Sequence, residues 1–403
     1  MGCKSVRLDE VATLTPGYAF KSKDFGDYPD KVIKITDVQR DGRSSALTGV
    51  NLESYDCRKL ERCLVRKGDY YLAMTGSIGK IGRLADGVAY LNQRVLGVRP
   101  NSQIHRTFLW HVLNSVDFRN HLLTHIDSYS VQANISASSV GSFVFELPDP
   151  LTQGRIARVL DMLDRKIELN QQTNDYLVEL LVALQKRAVE SKSTTGHRAD
   201  EVFSIHIGKT PPRKQQEWFS FDRADNVIWM SIKDMGNTGA YLIDSSEYLT
   251  RQAVEQFNIR KCSPGSVLLS FKLTIGRVGI AANEMVTNEA IACFSSDDDR
   301  RLAYLYPLLL TYDYASMGST SSIATAINSK MVKAMTLPIP GEEALDIFYG
   351  QAKPILGLLL SNTRENAMLE QLRDSLLPKL ILGEVDVSKI ELPMQPNNHL
   401  SVD

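Results

Sequence analysis

The chain has 403 residues, of which 43% are hydrophobic, and its 46 basic and 47 acidic side chains give a formal net charge of −1. That length is too great for one ordinary core and predicts two or more domains, while the neutral balance gives no general sign of a nucleic-acid-binding surface. Five cysteines without a Cys-x-x-Cys pair argue against a disulfide framework or a zinc site, and no apolar run approaches the ~18 residues of a membrane span. We therefore expect a protein of the reducing cytoplasm.

The same order of sequence signals occurs twice, in residues 1–190 and in residues 198–383. The matching segments are Thr15-Pro16 with Thr210-Pro211, Ile35–Val38 with Ile232–Met235, Gly68–Gly82 with Gly265–Gly279, and Leu147–Pro150 with Leu337–Pro340. Two similar modules, each followed by a long helix, predict a protein that contacts something at two places a set distance apart.

The first module, residues 1–150, has the pattern of a mixed α/β (α+β) domain with many short strands. Its predicted elements are the strands Val32–Ile35, Asp69–Ala73 and Val95–Val98 and the helix Phe108–Leu123. The second module, residues 197–340, repeats this pattern with strands Val227–Ile232, Val267–Phe271 and Ile291–Phe294 and the helix Leu302–Tyr312. Prolines close each module and separate it from the helix that follows.

Residues 151–196 and 341–388 carry heptad patterns that are typical of coiled coils, and residues 389–403 form a tail. The first seam is Ile156, Leu160, Leu163, Ile167, Asn170, Asn174, Leu177, Leu181 and Leu184. The second seam is Phe348, Ala352, Ile355, Leu359, Asn362, Asn366, Leu369, Arg373 and Leu376. Arg373 interrupts the second pattern. Thr152 is the expected N-cap of the first helix and Gly196 its expected stop.

Both seams contain an Asn pair at the same register. A polar pair in a heptad seam costs stability but sets register and partner choice. If the two helices pair antiparallel, as the internal repeat implies, Asn170 faces Asn366 and Asn174 faces Asn362. The alternative is that these side chains face solvent at a weak point of each seam.

The glycine-rich segment Thr75–Gly82 lacks the Gly-Lys-Ser/Thr of a Walker loop and the spacing of a dinucleotide-binding fingerprint. A β-hairpin with glycines at turn or bulge positions fits both copies. Each hairpin carries hydroxyl and basic side chains suited to DNA, although a purely structural role remains the alternative. These candidates are Ser77, Lys80 and Arg83 in the first copy and Lys272, Thr274 and Arg277 in the second.

A second group of candidate DNA contacts lies in loops. Asn92 and its counterpart Asn288 can each cap a turn, and the first is followed by Gln93 and Arg94, which suit base edges or phosphates. Basic residues after the Thr-Pro pairs suit phosphate contacts, or form an ordinary solvated loop. They are Lys21, Lys23, Lys209, Arg213 and Lys214.

The sequence shows no catalytic constellation and no metal site. His121 and His125 have helical spacing but no acidic or thiol partner nearby, so we interpret them as helix-surface residues. We expect a chain that is not an enzyme and holds no cofactor of its own.

The chain resembles the specificity subunit of type I restriction-modification systems over essentially its full length. Ile167–Asn174 is similar to the family's central conserved region and Leu376–Val385 to the end of its distal conserved region. Gly76–Gly82 and Leu147–Pro150 are similar to parts of its target-recognition domain.

The resemblance implies two target-recognition domains, each reading one half of a bipartite, asymmetric double-stranded DNA target, separated by an antiparallel coiled coil. It also implies methyltransferase subunits that modify adenine at N6 and an ATP-dependent restriction and translocase subunit, so that S-adenosylmethionine, ATP and Mg²⁺ belong to the partners. Helix length would then act as a ruler between the half-sites. The alternative is a non-catalytic protein–protein adaptor with two binding modules on a coiled-coil strut.

Overall fold

The computed structural model describes residues 3–38, 47–76, 78–126, 133–190, 193–236, 238–317 and 327–390. The chain divides into two compact units, Met1–Arg165 with Glu370–Asp403 and Lys166–Leu369. Each unit therefore contains one module together with part of both long helices. Within the described ranges, no helix is both long and apolar enough to cross a membrane.

The first module consists of short strands and short helices in alternation. Its strands are β1 (Lys4–Arg7), β2 (Ala12–Pro16), β3 (Phe25–Ile33), β4 (Thr48–Val50), β5 (Leu64–Arg66), β6 (Tyr70–Ala73), β7 (Ile81–Arg83), β8 (Val88–Leu91), β9 (Val95–Pro100) and β10 (Val144–Leu147). Its helices are α1 (Leu8–Val11), α2 (Cys57–Arg62), α3 (Arg106–Leu113), α4 (Val116–Thr124) and α5 (Ala137–Gly141).

Two four-stranded sheets form the body of the first module, in the orders β2-β9-β6-β7 and β4-β3-β8-β5, and β1 pairs with β10. All four residues of β6 are buried. Tyr70 and Leu72 belong to one hydrophobic cluster, and Tyr71 and Ala73 belong to another. Because successive side chains point to opposite faces of a strand, a strand covered on both faces reads as a continuous apolar run.

The second module repeats this arrangement. Its strands are β11 (Thr195–Arg198), β12 (Ser204–Ile207), β13 (Phe219–Ser220), β14 (Asn226–Met230), β15 (Tyr241–Leu242), β16 (Tyr248–Thr250), β17 (Val267–Ser270), β18 (Val278–Ala281), β19 (Val286–Thr287), β20 (Ile291–Ser295) and β21 (Thr336–Ile339). Its helices are α7 (Ala199–Val202), α8 (Ile232–Met235), α9 (Arg251–Gln256), α10 (Asp299–Leu310) and α11 (Ser329–Lys333). The long helices are α6 (Pro150–Val189), between the modules, and α12 (Glu342–Ile381).

The sheet orders of the second module are β12-β20-β17-β18-β15 and β13-β16-β14-β19, and β11 pairs with β21. Strands β12, β20, β17 and β18 thus occupy the places of β2, β9, β6 and β7. The internal repeat is confirmed in topology, with β15 as an addition at one edge.

One sequence match within the repeat is wrong. In the first module, Thr15 near the end of β2 pairs with Gly97 on β9. In the second module, the residue at the equivalent place on β12 is His206, which pairs with Cys293 on β20. Thr210-Pro211 follows β12 instead of ending it. The Thr-Pro pairs are therefore not structural equivalents, because the backbone pairing aligns the modules a few residues away from the sequence match.

The predicted helix Phe108–Leu123 is two helices, α3 and α4. The hydroxyl of Ser115 accepts a hydrogen bond from the backbone N–H of Phe118 and caps α4. An N-cap serine inside an apolar pattern starts a new helix, because its side chain satisfies a donor that the first turn leaves unpaired.

The ends of α6 differ from the sequence expectation. Asp149, not Thr152, caps the helix, since its carboxylate accepts from the backbone N–H groups of Leu151 and Thr152 at 3.0 Å. The Thr152 hydroxyl donates to the same carboxylate at 2.6 Å. This bond, and then those from the backbone, lower the pKa of Asp149. The helix ends at Val189, and Gly196 lies in β11.

The antiparallel pairing of α6 and α12 is confirmed. Nδ2 of Asn170 donates to Oδ1 of Asn366 at 2.8 Å, and Nδ2 of Asn362 donates to Oδ1 of Asn174 at 2.9 Å. Asn170 is 3% exposed and Asn362 is 8% exposed. The solvent-facing alternative is wrong, because each buried amide finds its partner on the other helix.

A charged cluster borders the Asn pair. Asn170 also donates to Glu365 at 2.8 Å, and Lys166 lies 3.2 Å from the same carboxylate. The hydrogen bond from Asn170, and then that from Lys166, lower the pKa of Glu365.

Arg373, which interrupts the second heptad pattern, lies in the first unit and forms ion pairs with Asp164 and Asp374, both at 2.8 Å. Leu377 and Leu380 nearby are buried in the same hydrophobic cluster as Leu160. The break in the pattern is therefore a paired charge beside an intact apolar seam.

Candidate nucleic-acid interface

Three segments meet at one edge of the first module, and we call residues 17–23, 74–80 and 92–94 the first loop edge. The backbone N–H of Met74 donates to the carbonyl of Arg94 at 2.9 Å, which joins the hairpin loop to the asparagine turn. Gly17 and Tyr18 donate to the carbonyls of Val95 and Leu91, which joins the loop after β2 to the same turn. The edge is thus assembled by backbone hydrogen bonds.

Glycine is required where these segments approach most closely. A Cβ atom at Gly17 would lie 2.0 Å from the carbonyl oxygen of Asn92. Gly79 has a φ of +86°, a conformation that glycine adopts without steric cost. Arg94 adopts a φ of 72° and so holds its side chain on a left-handed backbone in the turn.

The basic side chains of the first loop edge face solvent. Lys80 and Arg94 are exposed, and neither side chain has an ion pair or hydrogen bond with any residue that the structure describes. Lys21, Lys23 and Gln93 are exposed as well. Ser77 lies outside the described residues. Five of the predicted DNA contacts of this module are therefore brought to one edge.

Arg83 is not part of this edge. It pairs with Tyr70 at the end of β7 that lies away from the hairpin loop, and its guanidinium lies 5.8 Å from the ring centroid of Trp110. A cation over an aromatic ring is a stabilising contact within the module.

The structure adds to the first loop edge one residue that the sequence does not indicate. Arg119 of α4 is exposed, and its Cγ lies 4.0 Å from the position of a Cβ built on Gly79. No local signal singles out this arginine, because only the packing of α4 against the hairpin brings it to the first loop edge.

A hydrogen-bonded tyrosine supports the loop after β2. The phenol of Tyr55 donates to Asp24 and accepts from the backbone N–H of Lys21. Desolvation, and then the bond to Asp24, raise the pKa of Tyr55. The phenol therefore stays protonated and donates its hydrogen bond to Asp24.

The second loop edge, residues 208–214, 271–277 and 288–290, is built in the same way. Phe271 donates its backbone N–H to the carbonyl of Ala290 at 2.9 Å, and Gly208 and Lys209 donate to Ile291 and Thr287. A Cβ at Gly208 would lie 2.0 Å from the carbonyl oxygen of Thr287. Both modules therefore present the same three segments.

The cations of the second loop edge are largely bonded within the module. Arg277 donates to the carbonyl of Ile232 in α8, and Nζ of Lys209 donates to two carbonyls at the end of α9, each at 3.0 Å. Arg213 forms hydrogen bonds of 2.7 and 2.8 Å with Glu247. Its guanidinium also lies 4.3 Å from the ring of Phe219 and 4.5 Å from that of Trp229.

The remaining candidates of this edge are exposed. Lys214, Lys272 and Thr274 face solvent, and Thr210 donates its hydroxyl to Glu289. Leu273 occupies the tip of the hairpin, 96% exposed, with a φ of 61° where Gly76 has 68° in the first module.

His121 lies on α4 and His125 directly follows that helix, with their ring centroids 4.1 Å apart. Nε2 of His121 lies 2.8 Å from the carbonyl oxygen of Ser139. Their contacts are those of a helix surface packed against a neighbouring helix.

Comparison with known proteins identifies the modules. The family model described as "Type I restriction modification DNA specificity domain" matches residues 2–178 and 197–353. The HindI specificity subunit of Haemophilus influenzae is 22% identical over 330 residues, which cover 62% of this chain and 71% of that protein. The MjaIX specificity subunit of Methanocaldococcus jannaschii is 20% identical over 364 residues, covering 83% and 82%.

Among solved structures, the S subunit of a type I restriction-modification system from M. genitalium is 13% identical, with a TM-score of 0.46 over 94% of this chain and 96% of that one. The match of the family model to both modules covers most of the sequence. The chain belongs to the family of type I restriction-modification DNA specificity proteins and carries two copies of its domain.

Proposed function

We propose that this chain is the non-catalytic specificity subunit of a type I restriction-modification complex and reads a bipartite, asymmetric DNA target. Each loop edge contacts one half of the target. The observation that carries the proposal is the repeated loop edge, with one backbone arrangement in both modules and different side chains in each. Exposed cations suit phosphates, and the side chains of the turn and hairpin suit base edges.

The paired helices offer a surface for a methyltransferase subunit. Leu169, Tyr176 and Leu180 are 58%, 71% and 47% exposed on α6. Their spacing places them on one face of the helix. A row of exposed apolar side chains suits a protein contact. Adenine methylation at N6, S-adenosylmethionine, ATP and the restriction activity belong to the partner subunits.

The target is tested by mapping methylated adenines in DNA from cells that express this chain with its methyltransferase. We expect a motif of two different half-sites separated by a constant gap. A continuous short motif contradicts the proposal, and the absence of any methylation that depends on this chain favours a protein–protein adaptor.

The docking surface is tested separately by co-purification. Tyr176→Arg places a charge in the apolar row and is expected to abolish association with the methyltransferase. Gln171→Arg, an exposed position on another face of α6, is the matched control and should leave association intact. Equal behaviour of the two variants contradicts the assignment of this face.

We further propose that helix length sets the gap between the half-sites. Each long helix has 40 residues. Four residues inserted into both helices, at matching distances from the Asn pairs, add about 6 Å, on the order of two base pairs. The methylation map should then show the same half-sites with a longer gap, and an unchanged gap contradicts the ruler.

A further inference from the structure

Three side chains with metal-binding atoms meet inside the second module. His206 lies on β12, Cys293 lies opposite it on β20, and Cys262 is joined to Met285 by an isolated β-bridge. Sγ of Cys262 lies 3.6 Å from Nε2 of His206, and the ligand atoms of all three residues lie within 4.8 Å of one another. The two cysteines are 1% and 0% exposed, and His206 is half-buried.

The spacing fits a tetrahedral zinc ion. Zinc binds cysteine sulfur at about 2.3 Å and histidine nitrogen at about 2.0–2.1 Å, so a tetrahedral angle separates the two donor atoms by about 3.6 Å. Two thiolates and an imidazole are a donor set that selects zinc over hard cations such as magnesium and calcium. Three protein ligands leave the fourth position for water.

The first module shows that the fold does not require these residues. The positions equivalent to His206, Cys262 and Cys293 are Thr15, Val65 and Gly97, by strand pairing. A Cβ built on Gly97 would lie 3.5 Å from both the carbonyl oxygen of Thr15 and Cγ1 of Val65. The same three positions therefore converge in both modules, and only the second module fills all three with metal-binding side chains.

We propose that His206, Cys262 and Cys293 form a zinc-binding site in the second module. Strand β12 leads directly into Gly208 and β20 begins directly after Ala290, so the ion ties together the strands from which two segments of the second loop edge emerge. The site stabilises that edge without contacting DNA, and it stands whether or not the proposed function is correct.

The test begins with the metal content of the full chain purified without chelator. We expect about one zinc per chain by elemental analysis and native mass spectrometry. Replacement by Co²⁺ should produce thiolate-to-cobalt charge-transfer absorption, which reports sulfur ligation in the folded wild-type chain without any substitution. Absence of both signals overturns the proposal, as does a chain lighter by two hydrogens because Cys262 and Cys293 form a disulfide.

Variants then assign the ligands. Cys293→Ser and His206→Gln should each lower the bound zinc severalfold and weaken the cobalt signal. Cys63→Ser is the matched control, since Cys63 is a buried thiol of the first module, 2% exposed, with its sulfur 3.1 Å from the carbonyl of Leu60. Zinc content unchanged in Cys293→Ser, or reduced equally in Cys63→Ser, contradicts the assignment.

Discussion

The two loop edges share a backbone and differ in what their cations do. In the first, Lys80 and Arg94 extend into solvent, whereas in the second the equivalent Arg277 is bonded to a carbonyl of α8 and Ala290 replaces Arg94. Backbone hydrogen bonds assemble both edges. Side chains can therefore change without loss of the arrangement, which is what two readers of different sequences require.

The modules also differ where they pack on the long helices. In the first unit, His111 of α3 is buried, with Nδ1 3.7 Å from Asp164 of α6. In the second unit, α10 presents Tyr304, whose hydroxyl donates to the carbonyl of Pro338 and accepts from Gln185. The first contact includes a buried histidine, whose protonation in acid affects stability, and the second contact includes no histidine.

Exchange of the loop-edge side chains is expected to have the largest effect. Residues 272–277 and Glu289-Ala290 are replaced by the sequences of residues 75–80 and Gln93-Arg94, which have the same lengths. Methylation mapping should show an altered second half-site, with the first half-site and the gap unchanged. The reverse graft is the control and should alter only the first half-site, and a change in both halves contradicts independent readers.

The His111 contact predicts a pH-dependent stability. Desolvation lowers the pKa of His111 to about 4 in the native chain. Below about pH 6.5, His111 therefore binds a proton in the unfolded chain more readily than in the native chain. The contribution of His111 to the free energy of unfolding is fully present above that pH. It is lost as the pH falls towards 4, a loss of about 3 kcal/mol. Urea unfolding between pH 7 and 4.5 measures the loss.

His111→Leu should flatten this pH dependence, because it removes the titrating group. His125→Leu, at an exposed position directly after α4, is the control and should retain the wild-type slope. If both variants keep that slope, another group is responsible.

Removing one cation from each edge should separate binding from stability. Lys80→Ala removes an exposed charge, so the slope of log affinity against log salt for DNA should fall by about 1 in the methyltransferase complex. Arg277→Ala removes a hydrogen bond within the module and should instead lower the unfolding free energy by about 1 kcal/mol, with little change in the salt slope. Equal effects on the slope contradict the contrast between the edges.

The hairpin tips predict the smallest effect. Leu273 holds a left-handed backbone that is unfavourable for a residue with a Cβ, so Leu273→Gly should raise the unfolding free energy by up to about 1 kcal/mol. Gly76→Leu should lower it by a similar amount, since nothing lies within 4 Å of a Cβ at Gly76 and only the backbone is strained. Thermal unfolding of both variants checks the opposite signs.

Local patterns in the sequence determined the repeat, the inner strands and the helix pairing. Strands such as β6 and β17 are covered on both faces, so their burial appears as an unbroken apolar run. The heptad pattern and its two Asn pairs were sufficient to predict the partners of Asn170 and Asn174. A polar residue in a heptad seam sets the register of the paired helices, so its place in the repeat predicts the residue opposite.

Tertiary structure alone decided which candidate side chains are available. Nothing in the local sequence shows that Arg213 and Arg277 are bonded within the module, yet Glu247 and the carbonyl of Ile232 bind them from 34 and 45 residues away. The His206, Cys262 and Cys293 cluster has no motif spacing, since its members lie on segments joined only by strand pairing. Periodicity is a property of one element, whereas the partners of a side chain depend on contacts that the folded sheet brings together.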